Sequence, residues 1–424
     1  MADIVFAFDP AIHRPLMVPE GAPPQVVEVI ASAAMAALES AAAEARQSQA
    51  SAFVICGRLL DPTRASPAQA ARLRRLIVGL ADHGCRTVLV ADDSAFCHDV
   101  ARMLGEPVGL AFVTPAAALE FDVRGLRVEI ISAHGPAGAR AIDAVTGAAT
   151  PLHRRIIIGW DNALWNPERT TFGEPEFGVP PQPRTTPSAA AFATAASASA
   201  AWSQPGGFWI WASRRRQDLP PGVHFLPALQ ARSADEASAG ACRTLTLLDR
   251  DADDGSLADG FAAPAADWRG SWREAPTAHV AWKTVTVESP AGGDEELATV
   301  IWAALEKLPH DRDTALELVR CSVACGTSVD RRVRVGEIAA ETLARLRGLY
   351  DSRTFRVWCR DLVAEPTESL APLGHARSGS RPGSTTSFSS ALADIVTLVE
   401  ESEAIPVAEA REAGWLALEL IESV

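Results

Sequence analysis

The sequence predicts an α/β fold in which a parallel sheet is flanked by helices, followed by further strands and a smaller α+β domain. Three observations carry this. Phe53–Ala95 reads as one strand–helix–strand unit; Ile4–Phe8 and a long helical stretch repeat that alternation before it; and residues 278–362 alternate strand and helix again.

Ile4–Phe8 is an apolar run of strand length. Val26–Arg46 carries Val26, Ile30, Ala33, Ala37 and Ala41 along one stripe, so a helix with a small-residue face is expected. Phe53–Cys56 is the next strand and stops at Gly57. Ser66-Pro67 supplies a helix cap and a first-turn proline. Leu73, Leu76, Ile77 and Leu80 follow at helical spacing, Gly84 closes the helix, and Thr87–Val90 is the second strand of the unit. In such units the functional groups lie at the carboxyl ends of the strands, which here are the loops GRLLD and ADDSA.

Asp99–Leu104 is expected as a short helix. Strands are expected around Gly109–Val113, over Leu126–Ile131 in a second sheet, and over Arg155–Ile158. Phe208–Ala212 is a further strand, with Trp209 and Trp211 on one face and Arg214, Arg215 and Arg216 at its end. Arg243–Leu248 closes the series. The intervening 171–207 is rich in Pro, Ala, Ser and Gly and reads as an insertion, with an alanine-rich helix open over Ser188–Trp202. The acidic loop DRDADDGSLADG lacks the ligand spacing of an EF-hand.

Ala278–Glu288 alternates as a strand. Asp294–Leu308 is an amphipathic helix with Leu297, Val300, Ile301 and Leu305 inward, and Leu316–Val323 is a strand. Val335–Leu349 is expected as one helix and Phe355–Leu362 as a strand, with Arg331, Arg332 and Arg334 giving modest basic content. Residues 365–387 have linker composition, and two apolar helical segments, Phe388–Glu401 and Val407–Ile421, end the sequence. The expected division is 1–275, 276–364, linker 365–387 and carboxyl-terminal helices 388–424.

With 424 residues and a formal net charge of -14, the chain holds two or three domains and does not suit wholesale phosphate neutralisation. Lys283 and Lys307 are its only lysines. Seven cysteines without CxxC pairs indicate a reduced, cytoplasmic protein; Cys321 and Cys325 lack a second ligand pair for zinc. No apolar run approaches the roughly 18 residues of a membrane span, and Met1 leads directly into a strand, so neither membrane insertion nor export is expected.

These motifs resemble the calcineurin-like metallophosphoesterases, and among them the SbcD-type DNA repair exonucleases. There the first loop reads GDLxD and the second GNHD, with an amphipathic helix between. FDPAIHRPL stands where that family has a segment like SDLHLDSPL, and GFWIWASRRRQDL where it has DYWALGHIHRREV. PALQARSADEASAGACRTLTLLD is similar to its PGNPQGRSPGETGPKGCTLVELD. The resemblance covers roughly the first 360 residues. It implies a four-layer β-sandwich flanked by helices, a capping α+β domain, two divalent ions such as Mn or Mg, an SbcC-like ATPase partner docked through Phe388–Val424, and a homodimer.

Position by position, the ligand set of that family is degenerate here. Asp9 matches the Asp of its DxH motif and Ala11 the His. Arg58 stands at the bridging Asp, although its companion Asp61 is kept. Asp93 replaces Asn and Ser94 the catalytic His of GNHD; Trp160 falls at a ligand His, and Ser213 and Arg215 at the two His of GHxH. A two-metal site clamps the attacking and leaving oxygens. Arginine offers no lone pair and brings a cation to a cation's place. No cofactor is therefore expected. Arg58 and Arg215 either balance Asp9 and Asp93 in an ion-pair network or hold a phosphate bidentately.

The expected function is a non-catalytic binding or assembly subunit linked to DNA processing, with nucleic-acid contact left open. The alternative is an active phosphodiesterase or exonuclease with a rearranged site drawn from Asp9, Asp61, Asp92, Asp93, His13 and His98.

Overall fold

Side chains alternate across β1 (Ile4–Phe8) into two different apolar layers, and that alternation sets the architecture. The computed structural model describes residues 3–123, 126–133, 154–160, 207–214, 223–233, 236, 240–248, 269–288, 290, 294–310, 314–324, 328–334, 336–349 and 356–364. The expected helices at 188–202, 388–401 and 407–421 lie outside these residues.

The first sheet has the order β11-β10-β1-β2-β3-β4. Its parallel part is β1, β2 (Ala52–Cys56), β3 (Arg86–Val90) and β4 (Leu110–Val113). β10 (Ala241–Leu248) runs antiparallel to both β1 and the edge strand β11 (Arg269–Pro276). The second sheet has the order β5-β6-β7-β8-β9: β5 (Leu119–Val123), β6 (Leu126–Ser132), β7 (Arg154–Trp160), β8 (Gly207–Ser213) and β9 (Val223–Pro227). All its neighbours are parallel except β5 and β6.

Val5, Ala7, Phe53, Ile55 and Leu89 meet helices α1 (Pro24–Gln47), α2 (Pro67–Ala81) and α3 (Ser94–Leu104) in one buried cluster. Ile4, Phe6, Phe8, Val54 and Val88 meet Ile130, Ile156, Ile158, Ile210 and Ala212 of the second sheet in another. The order of layers is thus helices, sheet, sheet. β1 to β3 are buried on both faces, which is why they read as continuous apolar runs.

Several boundaries depart from expectation for identifiable reasons. α1 is long and apolar enough to cross a membrane by length and composition, contrary to the expectation that no stretch would be. Its Ile30, Ala33, Ala37 and Ala41 stripe is buried, with Ala37 and Ala41 in the cluster beneath the first sheet. α3 starts at Ser94 instead of Asp99, because the Asp93 carboxylate caps it, accepting the Phe96 N–H at 2.6 Å. The expected 335–349 helix is shortened to α6 (Ala339–Gly348), and an unexpected helix, α5 (Ser328–Arg334), precedes it, with Gly336 at φ 77° between them. α2 ends at Ala81, and Gly84 sits in the turn beyond it. β5, β9 and β11 escape the sequence patterns, and all three are edge strands.

Ser66 and Gln69 form a capping box at α2. The Ser66 Oγ accepts the Gln69 N–H at 3.2 Å and the Gln69 Oε1 accepts the Ser66 N–H at 2.9 Å. Ser66→Ala is expected to cost about 1 kcal/mol, read from urea unfolding midpoints.

The described residues divide into two compact units. Met1–Lys283, Pro309–Val319 and Asp351–Arg360 bound the first; Thr284–Leu308, Arg320–Tyr350 and Asp361–Val424 bound the second. A three-stranded sheet of order β12-β13-β14 is formed by β12 (Val280–Val287), β13 (Leu316–Val323) and β14 (Val357–Ala364). α4 (Asp294–Glu306) joins β12 to β13, and α5 and α6 join β13 to β14.

Candidate functional site

The carboxyl ends of β1 and β9 are tied together. Phe8 forms a parallel bridge with Ala228, and its carbonyl accepts the Leu229 N–H at 3.0 Å. This brings Asp9 beside the end of β8 and beside residues 228–233.

Phe208, Ile210 and Ala212 of β8 face the core between the sheets, and Arg214 continues that two-residue parity inward. Its guanidinium is buried at 7% exposure, against 2% for Asp9. Arg214 Nη2 lies 2.6 Å from Asp9 Oδ2, and Nε donates to the same oxygen at 2.7 Å. Nη1 donates to Glu236 Oε2 at 2.9 Å, and that oxygen also accepts the Arg232 backbone N–H at 2.8 Å. Burial works against the Arg214 charge, but Asp9 and Glu236 outweigh it and hold the guanidinium above its usual range.

Arg232 supplies a second, partly buried guanidinium and spends it on backbone. It donates to the carbonyls of Arg14 at 2.6 Å, Ala11 at 2.9 Å and Pro10 at 3.4 Å. The loop it grips has Asp9 at φ 43° and Ala11 at φ 39°. Aspartate tolerates that region, whereas alanine is strained there and must be held by its surroundings. Burial and the adjacent Arg214 charge bring Arg232 down to about 10, so it stays cationic at neutral pH.

The other sequence-predicted positions separate around this core. Arg58 Nη2 is 3.9 Å from Asp92 Oδ2, with the side chain about a third exposed. Asp93 is exposed and capping, and Ser94 is the first residue of α3. Ala11 is fully buried, Trp160 packs in the core between the sheets, and Ser213 is buried. Arg215 lies outside the described residues, and the guanidinium on Asp9 is that of Arg214. The Phe208–Ile210–Ala212 alternation, extended one step, points to Arg214. Arg232 and Glu236 carry no sequence pattern of their own and are recognisable only as charges following an apolar strand.

His13 lies near the cluster. Its Nδ1 accepts the Asp61 N–H at 2.9 Å, and burial pulls the ring down to about 4. Between pH 6.5 and about 4 the unfolded chain then binds a proton that the folded chain refuses, so stability falls as pH falls through that window. His13→Gln, which keeps an acceptor, is expected to flatten this acid limb in urea midpoints taken at neutral pH and near pH 4. His98 is exposed on α3. Burial raises the thiols of Cys97 to about 11 and of Cys85 and Cys242 to about 12, which removes them as thiolate nucleophiles.

The donors at this end of the sheets do not fit a pair of divalent ions. Asp9 is engaged by a guanidinium, Arg232 and Arg58 add positive charge, and Ala11, Ser94, Trp160 and Ser213 offer no imidazole. Among the described residues no three His, Cys, Asp or Glu side chains gather into a ligand set. No family model matches the sequence, and no curated protein matches it.

Proposed function

We propose that this chain is a degenerate relative of the SbcD-type metallophosphoesterases, acting as a non-catalytic binding or assembly subunit linked to DNA processing. The observation that carries the reading is the Asp9 carboxylate, the one position of the resembled ligand set left unchanged, held by the buried Arg214. An ion-paired carboxylate under a fixed cation is a poor ligand for a second cation. The helix, sheet, sheet layering agrees with the expected sandwich, whose fourth layer and capping domain belong to the proposal. So do a cytoplasmic setting, a homodimer and an SbcC-like ATPase partner docked through Phe388–Val424. The arginines at this end are read as internal counter-charges, since Arg214 is spent on carboxylates and Arg232 on carbonyls.

Metal analysis and manganese titration calorimetry on the purified full chain, with nuclease assays on single- and double-stranded DNA, test it. Neither tight manganese binding nor cleavage is expected. Two bound ions with cleavage would overturn the reading in favour of a rearranged active site. Arg58→Asp alone is expected to gain no manganese-dependent nuclease activity, because the imidazole positions remain empty.

A further inference from the structure

The Asp9 end of the sheets is filled by its own side chains, so a binding subunit needs another surface. The stretch that leaves this end supplies one. Between β1 and α1 the chain runs Arg14-Pro15-Leu16-Met17-Val18-Pro19-Glu20. Over residues 15–19 it is neither helix, strand nor turn. Pro15 and Pro19 have no backbone N–H, and the N–H groups of Leu16, Met17 and Val18 make no hydrogen bond to a described residue. Burial along the stretch repeats every three residues. Leu16 is 3% exposed and Pro19 is buried, whereas Met17 and Val18 between them are 70% and 41% exposed. A strand would alternate its faces at every residue; a repeat of three is that of polyproline II. The prolines favour the same conformation, since each fixes its own φ and turns the residue before it extended. Pro23, at φ -71° and ψ 159°, holds it where the chain enters α1.

The stretch is also tied down at both ends. Arg232 donates to the Arg14 carbonyl at 2.6 Å, and the Pro19 carbonyl accepts the Ala22 N–H at 3.2 Å. Its conformational freedom is therefore lost on folding, before any partner arrives. Among the described residues the other exposed large apolar side chains are Val108 and Leu349, each isolated, so the Met17-Val18 pair stands out. We propose that residues 15–19 are a preformed polyproline II ligand, read by a different protein through a groove lined with aromatic side chains that takes Met17 and Val18. A second copy of this chain is the poorer partner. Among the described residues no exposed large apolar side chain is aromatic, and the grooves on either side of α2 are lined without one. Addition to a partner's sheet edge is disfavoured by the three-residue repeat, which does not present alternate side chains to one face. The inference rests on reading the chain as a binding subunit, yet it fails separately, because contact at Met17 is measured without reference to metal or cleavage.

The test begins with Met17→p-benzoylphenylalanine in the full chain, photolysed in the cells that make the protein. Mass spectrometry of the crosslinked peptides is expected to place the contact in an aromatic-lined groove of one partner. The same probe at Val108, 81% exposed, is expected not to reach that protein. Calorimetry with the purified partner follows, with circular dichroism confirming the fold of each variant. Met17→Asp/Val18→Asp is expected to weaken binding by about tenfold or more, and an oligoproline peptide to displace the chain. Val18→Pro is expected to keep the affinity, because polyproline II needs no N–H at that position, whereas an added strand does. Crosslinks confined to this chain or a second copy overturn the proposal, as does the absence of any crosslinked partner. So does a contact outside an aromatic-lined groove, loss of binding in Val18→Pro, or wild-type affinity in the double aspartate variant.

Discussion

Asp9→Ala is expected to destabilise the protein by about 3 kcal/mol or more, the cost of leaving a buried guanidinium without its main counter-charge. Arg214 is 7% exposed and would keep the Glu236 carboxylate and the backbone carbonyl of residue 9. That loss is a large fraction of the 5 to 15 kcal/mol that ordinarily holds a domain folded. The substitution also places alanine at φ 43°, adding about 1 kcal/mol of left-handed backbone strain. Asp9→Asn separates the two costs, since asparagine accepts the left-handed conformation and still offers an oxygen to Arg214. It is expected to cost less than Asp9→Ala. Adding Arg214→Met and Glu236→Gln to Asp9→Asn should recover part of the loss, because all three members of the cluster are then neutral. Urea unfolding of the four proteins decides it. An Asp9→Ala variant within about 0.5 kcal/mol of wild type would show that the pair does not hold the loop.

Lys283→Met is expected to have an effect of the same size, in the first compact unit but away from Asp9. Glu317 on β13 is fully buried, and Lys283 Nζ lies 2.8 Å from its Oε1 while also donating to the Pro309 carbonyl. His310 Nδ1 is 2.9 Å from the other carboxylate oxygen. Removing the ammonium takes the cation 2.8 Å away from the fully buried Glu317 carboxylate, at an expected cost of about 3 kcal/mol. Glu317→Gln in the same background should restore a substantial part, because the amide carries no charge to desolvate. If Lys283→Met unfolds at the wild-type urea midpoint, the pair contributes nothing net. This one lysine is then a better marker of structure than composition allows: the chain has only two, and one of them neutralises a fully buried acid.

The central strands were legible because both of their faces are buried. Ile4–Phe8 and Phe53–Cys56 present unbroken apolar runs, and Ser66-Pro67 announces the helix between. Edge strands give weaker signals, since one side pairs with nothing and fewer positions need be apolar. VHFLP and RGSWREAP have prolines, a glycine and charges where a central strand would have valines. Yet Trp272 of β11 stacks near Phe6 and Phe208, with centroids 5.6 and 6.1 Å away, so even this edge helps seal the core between the sheets. Asp93 shows a different failure. Aspartate before a helix serves as a cap as readily as a ligand, and local sequence cannot separate the two.

By itself the sequence determined the α/β class, the order of the main elements, the carboxyl-end loops as the place to look, and the lack of imidazole at Ala11, Ser94, Trp160 and Ser213. Those follow from local periodicity and from which atoms a side chain possesses. Only the tertiary structure decided that Arg214 meets Asp9, that Glu236 completes the pair, and that Arg232 grips the left-handed loop. The contacts of Arg214 with Asp9 and of Arg232 with Ala11 join residues more than 200 positions apart. Strand parity, which is local, turns Arg214 inward, but the pairing of Phe8 with Ala228 that brings Asp9 to it is written in no short stretch of sequence.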